Sequence, residues 1–555
     1  MESLPPPEKM TETAPPAETI YTDGRIHTLE ESRPLASVLA VRGRELVYVG
    51  SSKAEAEARL SRAARRVSLS GRVVVPGLLD GHAHVVTEGL RLAMPALAGL
   101  SRSEVLALVA REAAGRPAGE WIVCHGWNQH HWSRGDWPDK ARPPLAELDA
   151  AAPDHPVLLE RVDRHSAWVN SRALAAAGLS ETTPDPPGGE ILRDAAGGLL
   201  GIITGEALVR VWRARPTPTP GEIKAAYLAA QAEYLAHGVT GGLEASSRLR
   251  NLEVLRKTYD EGLFKMRLRA LLFSASGDDA AYIEGGGRPV SGLHGERFSI
   301  NGVKIIADGS LGSRTAWLSA DYADRPGHRG EPWCDEAKLR AVLQRARAHG
   351  FQAAVHAIGD AAAAQAVRIM AEVLGPEPGD HRWRLEHFQV VAEEDRDRVL
   401  SLGLVPSIQA AGLMGDLAMV GERLGPASLA RAYAWREILD AGGMITGGSD
   451  APVESVNPFW GLYASVTRQD LAGRPAGGFK PEHRFTRLEA LKSYTIWAAR
   501  AMFAEKRQGS LAPGKLADFT VLSQDPLTCP AEEIKDIQAL LTVIGGEAVY
   551  DRNQP

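Results

Sequence analysis

Cysteine is scarce in this chain of 555 residues: there are three, Cys124, Cys334 and Cys529, far apart and with no CxxC pair. An odd, dispersed set excludes a disulfide scaffold and a thiolate zinc site, and it fits a reducing compartment. Excess positive charge is missing too. Lys and Arg number 63 against 69 Asp and Glu, a formal charge of −6, which leaves no basic footprint for nucleic acid and no polybasic patch for a membrane. No stretch approaches the roughly 18 uninterrupted apolar residues of a membrane span. The opening MESLPPPEKMTETAPPAE lacks the apolar core of a signal peptide, so residues 1–17 read as a disordered tail. A cytoplasmic enzyme or binding protein is expected, with a small-molecule partner, no nucleic acid, no membrane, and a homodimer left open as its assembly.

What is present falls into three textures. Short alternating runs over 18–75, such as TIYTDGRIHTL and LASVLAVRGRELVYVG, are punctuated by Asp23-Gly24 and Arg42-Gly43 and read as antiparallel strands. The same texture returns over 507–555, so both ends are expected to build one small β-sandwich domain. Between them, residues 76–506 alternate strand-like and Ala/Leu/Arg-rich helical stretches, the pattern of repeated βα units. Eight strand candidates (77–85, 238–245, 265–273, 299–308, 351–359, 382–389, 404–410 and 443–451) predict an α/β chain with a (β/α)8 TIM barrel. The first gap is too long for one crossover. Residues 118–212 therefore read as an inserted α/β lid after strand one, rich in tryptophan (Trp127, Trp132, Trp137, Trp168).

Polar residues gather at the carboxyl ends of those strands, the face where barrel sites are assembled. His82 and His84, in LLDGHAHV, share one face of a strand roughly 7 Å apart, so both imidazoles can converge on one ion. Singly, each further residue has an ordinary explanation. His356 and His387 fit satisfied core histidines, and Asp450, in ITGGSDAPV, fits a helix cap. Together with Lys304 they form six polar positions on one face, which packing does not explain. Four imidazoles and a carboxylate suit Zn²⁺ better than an all-oxygen ion, and the absence of cysteine favours a catalytic site. Lys304 lies in the apolar run of NGVKIIAD, where burial lowers an amine's pKa. A neutral amine can add CO₂, and the resulting carbamate can bridge two metals.

The set PGLLDGHAHV, GVKIIADGSLGSRT, VHAIGD, LEHFQ and GGSDAPV strongly resembles the metal-dependent amidohydrolase superfamily. GWNQHHW, RVDRHSAWVNS and GSLAPGKLADFTVL are similar to its N-substituted formamide deformylase-like branch. The resemblance implies one or two divalent ions: His82, His84 and Asp450 on one, His356 and His387 on the other, and carboxylated Lys304 between them. It implies a metal-dependent hydrolase that cleaves an amide-type C–N bond by a metal-activated hydroxide. Asp450 would act as general base and then acid. In the lid, Trp127 and Asn128 are read as substrate-binding and His165 as a donor to the developing oxyanion, with packing an equal alternative. Ser310 and Arg314 are read as shaping the strand-four loop, with a structural salt bridge an equal alternative for Arg314. The same site would also serve a lactone, ester, cyclic amide or carbamate. A non-catalytic scaffold should have lost ligands, and none is lost. A glycosidase using Glu244 and Glu386 would leave the histidines unexplained.

Overall fold

The computed structural model describes residues 17–128, 145–186, 188–377 and 379–553. The tail expected over 1–17 lies outside them apart from Ala17, as do Trp132 and Trp137. Eight parallel strands form the central sheet: β1 Leu78–Ala83, β2 Val239–Ser247, β3 Arg267–Phe273, β4 Phe298–Ile306, β5 Gln352–Ala357, β6 Arg384–His387, β7 Val405–Ile408 and β8 Thr446–Gly447. All eight fall within the stretches expected from sequence or within two residues of them. Each pairs with its neighbour in chain order.

The first and last strands meet just past the short β8. The Asp450 amide donates to the His82 carbonyl at 2.7 Å, and the His84 amide to the Ala451 carbonyl at 3.0 Å. A Cβ on Gly448 would sit 2.4 Å from the His82 nitrogen, so this approach requires glycine. Closure thus places His82, His84 and Asp450 side by side.

Helices cover the barrel for ordinary reasons. Helix Glu336–Ala348 is capped by Asp335, whose side chain accepts the Lys338 amide, and it buries Leu339, Val342, Leu343 and Ala346. That spacing follows one helical face. Each buried leucine contributes about 1.5–3 kcal/mol relative to exposure. In β4, Val303 and Ile305 are buried. Gly302 leaves room for Leu271, whose Cδ2 would lie 2.3 Å from an added Cβ.

Both termini build a pair of facing sheets. One has the order Glu45–Gly50, Val38–Arg42, Glu18–Thr22, Arg65–Ser68. In the other, Val73–Pro76 from the front of the chain pairs antiparallel with Phe519–Leu522 from the back. Tyr21, Leu39 and Val41 from the first meet Val74, Phe519 and Val543 from the second in a shared core. Buried Arg267, at the start of β3, holds Asp518 of this unit through Nε at 2.6 Å and Nη2 at 2.9 Å. Such a pair fixes relative position more than it adds stability.

The segment after β1 forms a five-stranded sheet in the order Gly189–Arg193, Leu199–Thr204, Ser166–Val169, Val157–Arg161, Ile122–Trp127. Its core also takes in Leu97, Val105 and Val109, so the inserted layer draws on residues ahead of 118. Among the described residues no helix is long and apolar enough to cross a membrane.

Candidate metal centre

Lys304 reaches across the barrel. Its Nζ lies 3.4 Å from Nε2 of His82 on β1, and the residue is 2% exposed. Burial, reinforced by the Arg384 guanidinium, pushes its ammonium down to about 8, against the pull of Glu386 and Asp450. Such an amine loses its proton more readily near neutral pH than an ordinary lysine.

The Asp450 carboxylate is the hub. Its Oδ1 lies 3.3 Å from Nε2 of His82 and 3.1 Å from Nε2 of His84. Burial alone would raise its pKa, but the two imidazoles hold it well below the usual carboxylate range. Ligand atoms of His82, His387 and Asp450 all lie within 4.8 Å of one another. Burial keeps the His356 and His387 imidazoles well below the usual histidine range, hence neutral with lone pairs to offer. Both His387 (φ +74°) and Asp450 (φ +57°) have left-handed backbones. Non-glycine residues hold that conformation at a cost, and such strain concentrates at functional sites.

This donor set fits a divalent cation. The Nδ1 of His82 lies 2.6 Å from Oε2 of Glu386, with both side chains fully buried. A hydrogen on Nδ1 turns the lone pair of Nε2 toward the Asp450 carboxylate. Two lone-pair atoms facing one another need a proton or a cation between them.

His356 stands slightly apart. Its ring centroid is 4.2 Å from that of His387, while its Nε2 lies 3.0 Å from the Gly309 carbonyl and 3.5 Å from Asp308. His387 therefore stands between the two halves of the expected ligand set, clustering with His82 and Asp450 and meeting His356 edge to face.

With this geometry in place, comparison with known proteins identifies the chain's relatives. The sequence model of the Amidohydrolase family matches residues 65–550. The chain belongs to the amidohydrolase family. It is 32% identical to YtcJ of Bacillus subtilis (strain 168), over 96% of this chain and 99% of that protein. To the N-substituted formamide deformylase of Arthrobacter pascens it is 27% identical, over 96% and 98% of the respective chains. A solved structure, an uncharacterized metal-dependent hydrolase from Pyrococcus horikoshii OT3, superposes with a TM-score of 0.75 at 26% identity, covering 93% of this chain and 99% of that one.

The lid brings this amidohydrolase a further histidine. Asp163 is the tether: it accepts from Ser310 Oγ at 2.8 Å and Ser313 Oγ at 2.6 Å in the loop after β4, and it pairs with Arg161 at 2.7 Å. The His165 amide also donates to it at 3.2 Å. The His165 ring thereby lies 5.7 Å from the His356 ring. Burial lowers its pKa, and its Nδ1 is buried without a hydrogen-bond partner among the described residues. Trp127 instead sits in the lid core, 3% exposed, its indole N–H donating to the Leu159 carbonyl at 2.8 Å. Asn128 follows it, half-buried. Arg314 forms an ion pair with Asp324 at 2.8 Å.

Sequence reasoning missed the support behind His82. Glu386, weighed above only as a glycosidase acid, takes Arg384 Nε at 2.5 Å as well as His82. Arg384 also donates to the Gly81 carbonyl at 2.6 Å and to Ser407 Oγ at 2.9 Å. Against the cost of burial, Arg384 and His82 hold Glu386 well below the usual carboxylate range. The signal was available: two opposite charges at i and i+2 of the strand, Arg384 and Glu386, share a face and pair.

Proposed function

We propose that this amidohydrolase hydrolyses an amide-type C–N bond, in an N-substituted formamide or a related amide, at a centre of one or two zinc ions. What carries this reading is the cluster of His82, His387 and Asp450, with His84 on the same carboxylate oxygen and Lys304 beside His82. Identity to the Arthrobacter pascens deformylase over nearly both whole chains supports the choice of bond.

When bound, the metal supplies Lewis acidity for the carbonyl and lowers the pKa of the attacking water. Asp450, His82, His84 and His387 would hold it, with His356 completing the set. Lys304 would join as the carbamate formed when its neutral amine adds CO₂ and releases a proton. Asp450 accepts the proton of the attacking water. The His165 imidazole, unpartnered at Nδ1, hydrogen-bonds the substrate oxygen as it gains negative charge. Glu386 holds the His82 ring in one tautomer and orientation. A proton delivered to the leaving nitrogen completes a reaction that adds water across the bond to give an acid and an amine.

The test is a hydrolysis screen of N-substituted formamides, acyl amides, lactams and lactones, run beside metal analysis. Zinc-dependent turnover of open-chain amides is expected. Turnover confined to lactones, or full turnover by metal-free protein, would overturn the proposal.

A further inference from the structure

A pocket beside the centre is lined by nitrogen atoms that the fold leaves without partners. It lies between helix Val85–Leu92, which starts directly after His84, the ends of the neighbouring lid strands Ile122–Trp127 and Val157–Arg161, and the loop after β8. Thr87, three residues past His84, and Pro452, two past Asp450, form its barrel side. The hydrogen bond from His84 to Ala451 holds those two segments together, so the pocket adjoins two of the expected metal ligands. On the lid side it includes Arg164, one residue before His165.

Three side chains line it with unused nitrogens. Arg164 gives its Nε to Glu160 at 3.1 Å and lies over the Trp212 ring at 5.5 Å, while neither Nη bonds a described residue. Arg91 grips Glu88 through Nε and Nη2, which leaves Nη1. His125 stands in register with Glu160 on the adjacent strand, and its Nε2 is buried with no partner among the described residues. Burial, reinforced by the Arg91 and Arg164 guanidinium groups and opposed by Glu160, pushes His125 down to about 4, so its ring is neutral at pH 7. Glu160 does not supply the missing acceptor. It is 3% exposed and also takes the Trp212 indole at 2.9 Å and Arg215 at 3.4 Å. Two guanidinium groups thus share one carboxylate, which leaves positive charge at the pocket. Arg164 also holds a left-handed backbone (φ +58°), a strain that concentrates at functional sites. Unpartnered polar groups lining one pocket call for an explanation, and an anionic ligand supplies one.

Resting on the function proposed above, we infer that this pocket holds a carboxylate carried by the substituent of the scissile amide. In an N-substituted formamide the carbonyl carbon bears only hydrogen. The carboxylate therefore sits on the nitrogen substituent, as in an N-formyl amino acid. Its two oxygens match the planar fork of an arginine, and such charge-assisted hydrogen bonds are about twice as strong as neutral ones. Arg164 is the specificity residue, with Arg91 and His125 beside it.

The experiment compares two substrates with the same scissile bond in zinc-loaded protein: racemic N-formylalanine, and racemic N-formylalaninol, in which CH2OH replaces the carboxylate. In wild type, kcat/KM should favour the carboxylate about 10–100-fold. Arg164→Met should abolish that preference, mainly through KM, because Glu160 keeps Trp212 and Arg215 and is not stranded. Arg164→Lys should retain part of the preference, and zinc content should match wild type in both variants. A wild-type enzyme that cleaves the two formamides equally well would overturn the inference. So would an Arg164→Met variant that slows both by the same factor, since that marks a structural role. If neither compound is cleaved, the amide reading itself fails, and calorimetry of the same two compounds on zinc-loaded protein tests the pocket separately. Tighter binding of the carboxylate that Arg164→Met abolishes would uphold the pocket, and equal binding would overturn it.

Discussion

Substituting Glu386 by alanine separates the roles of a single buried carboxylate. Arg384 and Glu386 are both fully buried, so the substitution strands a guanidinium that keeps only neutral acceptors, Gly81 O and Ser407 Oγ. Removing one partner of such a pair costs about 3–5 kcal/mol. His82 also loses its acceptor at Nδ1, which weakens metal binding about 10–100-fold. At saturating metal that removes a further 1.4–2.8 kcal/mol or so of linked stability. Urea unfolding of apo and metal-loaded protein, with a chromogenic chelator competing for the metal, measures both terms. The double substitution Arg384→Met with Glu386→Leu removes both charges, so it should regain most of the apo stability while leaving metal affinity low. Glu386 is depressed in the folded protein relative to an unfolded value near 4.3. Its contribution is therefore fully present above that value and is lost as pH falls through the lower folded pKa. Unchanged metal affinity in Glu386→Ala would refute the role given to it behind His82.

Three further outcomes follow from the same geometry. Lys304→Ala should lose most bound metal and nearly all turnover, with partial rescue by added short carboxylic acids; full metal retention by inductively coupled plasma analysis would exclude a bridging role. His165→Ala should lower kcat about 10²–10³-fold while metal content stays at the wild-type level, so a change confined to KM would count against oxyanion stabilisation. Trp127→Phe should cost about 1 kcal/mol of stability for the lost bond to Leu159 with kcat and KM unchanged; a large KM effect would return Trp127 to the substrate pocket.

Much of the barrel was legible because its strands follow simple rules. Strand-like runs of seven to ten residues between helical stretches marked all eight strands, and His82 and His84 could be paired from the two-residue period alone. The Gly447-Gly448 pair announced a close approach, which the contact of Gly448 with His82 supplies. Other features depend on contacts between distant segments. No local pattern tells that Glu386 on β6 reaches His82 on β1, or that Asp163 in the lid ties down Ser310 and Ser313. The left-handed backbones at His387 and Asp450 are not foretold by the strand pattern. The sequence alone reads Trp127 equally as a pocket residue and as lid packing. Its indole lies in the core of the lid, where Leu97, Val105 and Val109 extend the layer beyond the tryptophan-rich stretch.

Native mass spectrometry of the zinc-loaded protein tests the centre most directly, because it weighs bound metal and any CO₂ on Lys304 together. One or two zinc ions accompanied by the mass of a single CO₂, with the CO₂ absent and most of the zinc lost in Lys304→Ala, is the predicted result. A fully metallated protein without the CO₂ mass would contradict the bridging carbamate, and a protein that binds no zinc would contradict the metal centre itself.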